Sequence, residues 1–256
     1  MGLDIYFHKV KPRVGTDTNS VAALRRDLIE QSCSKFQKGI RKYVDAFEKA
    51  VANGDSVSRK HAIVDIANYV KKANGGYDFY SEPFLREGVT DEKIRQLLEY
   101  HMEHVFPPED VYFRKANFVY KYFQPYLVEE ECVVTKEMVE ELLSRCDRII
   151  EVAKEEGVSF KGNNLAPKYF YCNNFYGLSE DEQKKEIERV NYEQNNLPNG
   201  WIGVAEDLLP TTEGFFFGST EYGMWYLEDI VSCKKQFTKL LKHWKDDEVV
   251  YNVMSW

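Results

Sequence analysis

Apolar residues recur at helical spacing along most of this chain, and only its two ends alternate like strands. That pattern limits it to a mostly helical fold with little sheet. Val21, Leu24, Leu28, Phe36, Ile40, Tyr43, Phe47 and Val51 keep the period of one long α-helix, which Thr18 to Ser20 can cap and Asn53-Gly54 can stop. A shorter helix is expected over about 58–73, through Ile63, Ile66 and Val70. Thr90 can cap another that carries Ile94, Leu97, Leu98, Met102 and Val105. Thr135 opens a well-patterned helix through Val139, Leu142, Cys146, Ile149 and Ile150, stopped by Gly157. The last begins near Gly223 and carries Tyr226, Ile230, Cys233, Phe237, Leu240 and Trp244. Leu3 to Val10 and Val249 to Trp256 read as the first and last strands.

The remaining stretches are less regular. Tyr77 to Gly88 reads as a loop with aromatic anchors, and Tyr112 to Tyr122 as a helix ending near Pro125. Between Gly157 and Asn199, Ser179-Glu180-Asp181-Glu182 is a capping box that opens a charged, peripheral helix. Gly214-Phe215-Phe216-Phe217-Gly218 reads as a short buried strand. No repeat or long linker breaks the chain. The expected fold is therefore a single α+β domain over 1–256, mostly helical, with a small antiparallel β-sheet that includes the N- and C-terminal strands.

Charge and aromatic content narrow the function. Lys and Arg number 34 against 42 Asp and Glu, a net charge of −8, which repels phosphate backbones over a broad face but leaves room for one local basic pocket. No nucleic-acid partner is expected. The 16 Phe, 17 Tyr and 4 Trp exclude disorder over most of the chain, because disordered segments are poor in aromatic residues. No apolar run is long enough to span a bilayer, and Met1-Gly2-Leu3-Asp4-Ile5-Tyr6 lacks both a signal-peptide pattern and the myristoylation hydroxyl. No membrane partner is expected. Five cysteines without a C-x-x-C pair point to a reduced, cytoplasmic protein, with Cys146 and Cys233 acting as small hydrophobes on helical faces. An aromatic-rich acidic chain of this size can also bury aromatic surface in a homo-oligomer.

Signatures of catalysis are missing. His101 and His104 share a helical face around Glu103, but a metal site needs a third ligand and the spacing is not that of H-E-x-x-H. There is no nucleophile elbow, Walker lysine motif or dinucleotide glycine fingerprint. Acidic runs such as Glu129-Glu130-Glu131 read as solvated turns. The chain is thus read without catalytic residues, metal or cofactor.

Two constellations remain. In Tyr112-Phe113-Arg114-Lys115-Ala116-Asn117-Phe118, continuing to Lys121, cations and an amide sit among aromatics, a combination able to hold a carboxylate or phosphate while a ring stacks on a base. The structural alternative is that Phe113 and Ala116 pack inward while Arg114 and Lys121 snorkel or pair with acids. The second runs from Leu208-Leu209-Pro210-Thr211 through Phe216 to Gly218-Ser219-Thr220-Glu221-Tyr222. There Ser219 and Thr220 stand before a helix, where they can cap it or meet an anion. The candidate ligand-binding set is Tyr112, Arg114, Lys115, Asn117, Lys121, Phe216, Ser219, Thr220 and Tyr222.

These segments, with the opening Met1-Gly2-Leu3-Asp4 and the closing Ser255-Trp256, resemble a family of uncharacterised phage-encoded and bacterial proteins. The likeness covers roughly 1–10, 110–153 and 207–256, and it makes 13–105 a helical elaboration of a common core. Gly223 stands where relatives often carry an acid. The resemblance implies a phage context, hence a host cytoplasm, and supplies no catalytic residue. The reading is a non-catalytic binding protein for a small anionic, nucleotide-derived ligand, in a phage an anti-defence protein that sequesters a host immune signalling nucleotide. The alternatives are a protein-interaction module acting on a host or phage protein and a hydrolase of unrecognised type.

Overall fold

A computed structural model describes residues 2–76, 78–105, 107, 109–214 and 217–255. The chain forms two compact units. One comprises Met1–Phe7, Asp110–Asp246 and Val250–Trp256, the other His8–Glu109 and Asp247–Val249. The fold is α+β, mostly helical with a small antiparallel sheet that contains the first and last strands.

The sheet of the first unit has the order β2-β1-β6-β3, with β1 at Asp4–Val10, β2 at Val111–Arg114, β3 at Glu131–Val134 and β6 at Val249–Ser255. β1 pairs antiparallel with β2, Ile5 opposite Phe113 and Tyr6 opposite Tyr112, and β3 pairs antiparallel with β6, Cys132 opposite Asn252. Opposed residues share a face, so Ile5, Phe7, Val111, Phe113, Cys132, Val134 and Val250 all enter one core. Three helices supply most of the rest of that core: α5 (Asn117–Phe123), α6 (Lys136–Glu155) and α9 (Met224–His243). Phe7 sits at its centre, its ring 5.2 Å from Phe123 and 4.9 Å from Phe237. The unit also holds the short hairpin β4 (Phe160–Lys161) and β5 (Asn164–Leu165), then α7 (Glu180–Asn195) and α8 (Ile202–Leu208). α7 carries the expected capping box and buries one residue, Val190.

Four helices build the described residues of the second unit. α1 (Val21–Ala52) is capped by Ser20 and α4 (Asp91–Glu103) by Thr90, while α2 (Ser56–Ala73) is capped by Asp55. Phe36, Ile40 and Phe47 of α1 pack with Ile63, Ile66 and Val70 of α2. Gly39 permits that approach, because a methyl group there would overlap the Tyr69 hydroxyl.

Three expectations fail locally. The loop expected over 77–88 contains a helix, α3 (Asp78–Leu85), whose Phe84 is fully buried; anchoring an aromatic outweighs the cost of Pro83 inside it. The helix expected over 112–122 is instead β2, a turn at Lys115 and then α5. Tyr112 and Arg114 face out while Val111 and Phe113 face in, and this alternation with aromatic and β-branched residues is strand chemistry. The short strand expected over 214–218 is absent from its described residues: Phe217 donates its amide to the Gly214 carbonyl at 3.1 Å, which closes a turn.

Candidate functional site

The first unit brings the two sequence constellations together. β2 ends at Arg114, and Lys115 turns the chain with φ of 62° while its amide donates to the Leu3 carbonyl at 2.7 Å. The turn delivers Asn117, itself buried, to the start of α5, where its Nδ2 donates to the Ser219 carbonyl at 2.8 Å. Gly218 fits directly against Lys115: its φ is 90°, and a Cβ there would stand 3.1 Å from the Lys115 Cβ. Nearby, the Tyr222 hydroxyl accepts from the Thr211 amide at 2.9 Å, and the Thr211 hydroxyl donates to the Thr220 carbonyl at 3.1 Å. Tyr226 donates to the Leu209 carbonyl at 2.7 Å. Burial pushes the Tyr226 hydroxyl pKa far up, so it stays a donor.

The set thus splits three ways. Lys115, Asn117, Ser219, Thr220 and Tyr222 meet in a knot whose amide, hydroxyl and carbonyl groups largely satisfy one another. Ser219 does not cap α9; its Oγ accepts from the Glu221 amide, and Gly223 precedes the helix without a side-chain cap. Tyr112 and Arg114 lie on the sheet face away from the core. There Tyr112 stacks on Tyr6 at 5.2 Å and donates to Asp4 at 2.6 Å, and burial followed by the Asp4 bond pushes its pKa up. Phe216 lies outside the described residues.

Lys121 has a different setting. It lines a cleft of about 200 Å3 between the end of α5, α6 and the segment Leu208–Pro210, together with Tyr122, Tyr126, Arg145, Leu209 and Pro210. Arg145 is held by the Leu208 carbonyl at 3.0 Å and by Glu141 one turn back, and its guanidinium lies 5.2 Å from the centre of the Tyr122 ring. Tyr122 is fixed in turn by donating to the Met138 carbonyl at 2.7 Å. Among the described residues Lys121 has one hydrogen-bond partner, the neutral Gln124, at 3.1 Å, and Tyr126 is exposed. Two cations beside aromatic rings can hold an anion and stack a flat group. Sequence reasoning names Lys121 and the Leu208 to Pro210 run but misses Arg145 and Tyr126, which carry no local mark of shared space with them.

Elsewhere, His101 is buried between Tyr100, Tyr80 and Phe84, and its Nδ1 has no partner among the described residues. Burial and then the His104 charge lower its pKa. Among the described residues no group of three His, Cys, Asp or Glu is placed to hold a metal. No described helix is long and apolar enough to cross a membrane. No family model, curated protein or solved structure matches the chain.

Proposed function

We propose that this protein binds, without chemical change, a small anionic ligand derived from a nucleotide, and that the cleft at Lys121, Tyr122, Tyr126 and Arg145 is its recognition site. The observation that carries the reading is the pairing of two cations, one lacking any acidic partner among the described residues, with aromatic rings on one concave surface. At about 200 Å3 the cleft is smaller than the roughly 300–1,000 Å3 of sites that engulf drug-sized molecules. It suits one base or one phosphate-bearing end rather than a whole dinucleotide. The resemblance to phage-encoded proteins supports a use in sequestering a host immune signalling nucleotide, a task that needs tight binding and no turnover.

The test is calorimetry of the full chain against mononucleotides and cyclic dinucleotides, followed by heating and mass analysis of what is released. Release of unchanged ligand is expected. Absence of binding across the panel, or release of a cleaved product, would overturn the reading.

A second reading, a protein-interaction module, draws support from the exposed Tyr171, Tyr176, Tyr192 and Trp225 of the first unit. Changing Tyr176 and Trp225 to Ser separates the two: nucleotide binding survives on the first reading, whereas a partner contact through these rings is lost on the second.

A further inference from the structure

The net charge of −8 is not spread evenly along the chain. In the first unit Lys and Arg number 17 against 25 Asp and Glu, and in the second 17 against 17, so the whole excess of acid lies in the first. Several cations of the second unit are already tied to acids: Arg13 to Asp27 and Glu30, Arg59 to Asp91 and Arg95 to Glu48. The outer side of α1 is different. Lys35, Lys38, Arg41, Lys42 and Lys49 are all exposed, and none has an acidic partner among the described residues. At 100° per residue they fall within about one third of the helix circumference, opposite the buried Phe36, Ile40 and Phe47. Asp45 is the one exposed acid among them, since Glu48 is held by Arg95 through two hydrogen bonds of 2.8 Å. The ridge begins beside a hollow of about 480 Å3 lined by Gln31, Ser34, Lys35 and Lys38 with the Arg13–Glu30 pair, so its first two lysines border a concave surface.

We propose that this ridge of α1 is a docking surface for the phosphate backbone of double-stranded nucleic acid. From Lys35 to Lys49 it extends about 21 Å, a length in which each strand of a duplex presents about six phosphates to meet the five cations. Neutralising those phosphates releases condensed counterions, a gain that needs no base contact. The other residue types on the ridge choose among anionic partners. Besides Asp45, its remaining exposed members are Ser34, Gln37 and Ala46. No ring stands there to stack on an unpaired base, and no large apolar side chain to enter a bilayer or anchor a protein interface. A duplex keeps its bases stacked inside and offers phosphates outside, which lysines without rings can hold. The acidic balance that speaks against a nucleic-acid face belongs to the first unit and is absent from the second. Binding through the backbone alone is independent of base sequence.

The experiment is fluorescence anisotropy of a labelled duplex of about 20 base pairs, titrated with the full chain from about 50 to about 200 mM salt. Five phosphate contacts predict that log affinity falls against log salt with a slope of about −4.5, or about 500-fold over that range. Lys35→Gln, Lys38→Gln and Lys42→Gln together keep good helix formers on an exposed face. They are expected to flatten the slope to about −2 and to weaken binding about 100-fold at the low salt. Lys38→Gln alone, a milder change to the fold, lowers the slope by about 0.9. Lys184→Gln with Lys185→Gln, exposed on α7 of the first unit, also removes positive charge and leaves the slope unchanged. No binding at the low salt, or an unchanged slope in the triple variant, would overturn the proposal. So would an equal loss from the α7 pair, which would mean a response to net charge alone. Tighter binding of a single strand of the same length, or pelleting with phosphatidylserine vesicles in place of duplex binding, would overturn the choice of partner and the proposal with it.

Discussion

The knot around Asn117 and the cleft around Arg145 are built from the same stretches of chain, yet they spend their polar groups differently. In the knot, Asn117 is bonded to Ser219 and Thr211 to Thr220 and Tyr222. In the cleft, Lys121 meets only Gln124 among the described residues, and Arg145 is held by the Leu208 carbonyl and Glu141 with its guanidinium 5.2 Å from the centre of the Tyr122 ring. A polar group already paired inside the protein offers little to a ligand. One held in place but incompletely paired offers a great deal. The motif residues that draw the eye in the sequence mostly hold the fold, and the cleft proposed to take the ligand lies one turn of helix away.

The contrast breaks most sharply at Gly218. Replacing it with Ala forces a left-handed residue against Lys115 and is expected to cost about 3 kcal/mol, from the strain of that backbone conformation plus crowding. Urea denaturation would show it, and an unchanged midpoint would mean that the turn is not held as described. Asn117→Ala comes next, at about 2 kcal/mol, because a buried hydrogen bond is lost and the Ser219 carbonyl loses its donor. Lys121→Ala should do the opposite of both. Stability stays within about 0.5 kcal/mol, while affinity for an anionic ligand measured by calorimetry falls about tenfold. If Lys121→Ala unfolds the protein and leaves binding intact, the comparison is inverted.

Asn252 sharpens the contrast from a third direction. It is wholly buried on the core face of β6, and neither atom of its amide has a partner among the described residues. The knot shows the cost avoided when such groups are paired; Asn252 shows it incurred. Asn252→Val is expected to stabilise the protein by about 1 kcal/mol, read as a higher urea midpoint, because the desolvation penalty vanishes. A loss of stability would show that the amide is satisfied in solution by a partner such as an ordered water.

Much of the fold was legible because helices announce themselves locally. Ser20, Thr90 and Thr135 each cap the helix that its apolar spacing predicts. The errors fall where local signals compete. Val111 to Arg114 is too short for a period of two to stand out against the helical run that follows, and its strand identity depends on pairing with Asp4 to Phe7, over 100 residues away. Pro83 suggested a loop because the reward for burying Phe84 comes from other helices. At the site, Lys121 was visible as a cation among aromatics, whereas nothing local marks Arg145 on its amphipathic helix.

Composition and periodicity therefore sufficed for the class of the fold, its main helices and the two terminal strands, since these follow from which residues water excludes at each step along the chain. Folding in three dimensions settled which polar groups were used up. Whether Asn117 faces a ligand or Ser219, and whether Cys146 and Cys233 pack apart or against each other, depends on contacts spanning 102 and 87 residues. Hydrogen bonds and packing contacts act over a few ångströms, and no spacing along the sequence encodes such distances.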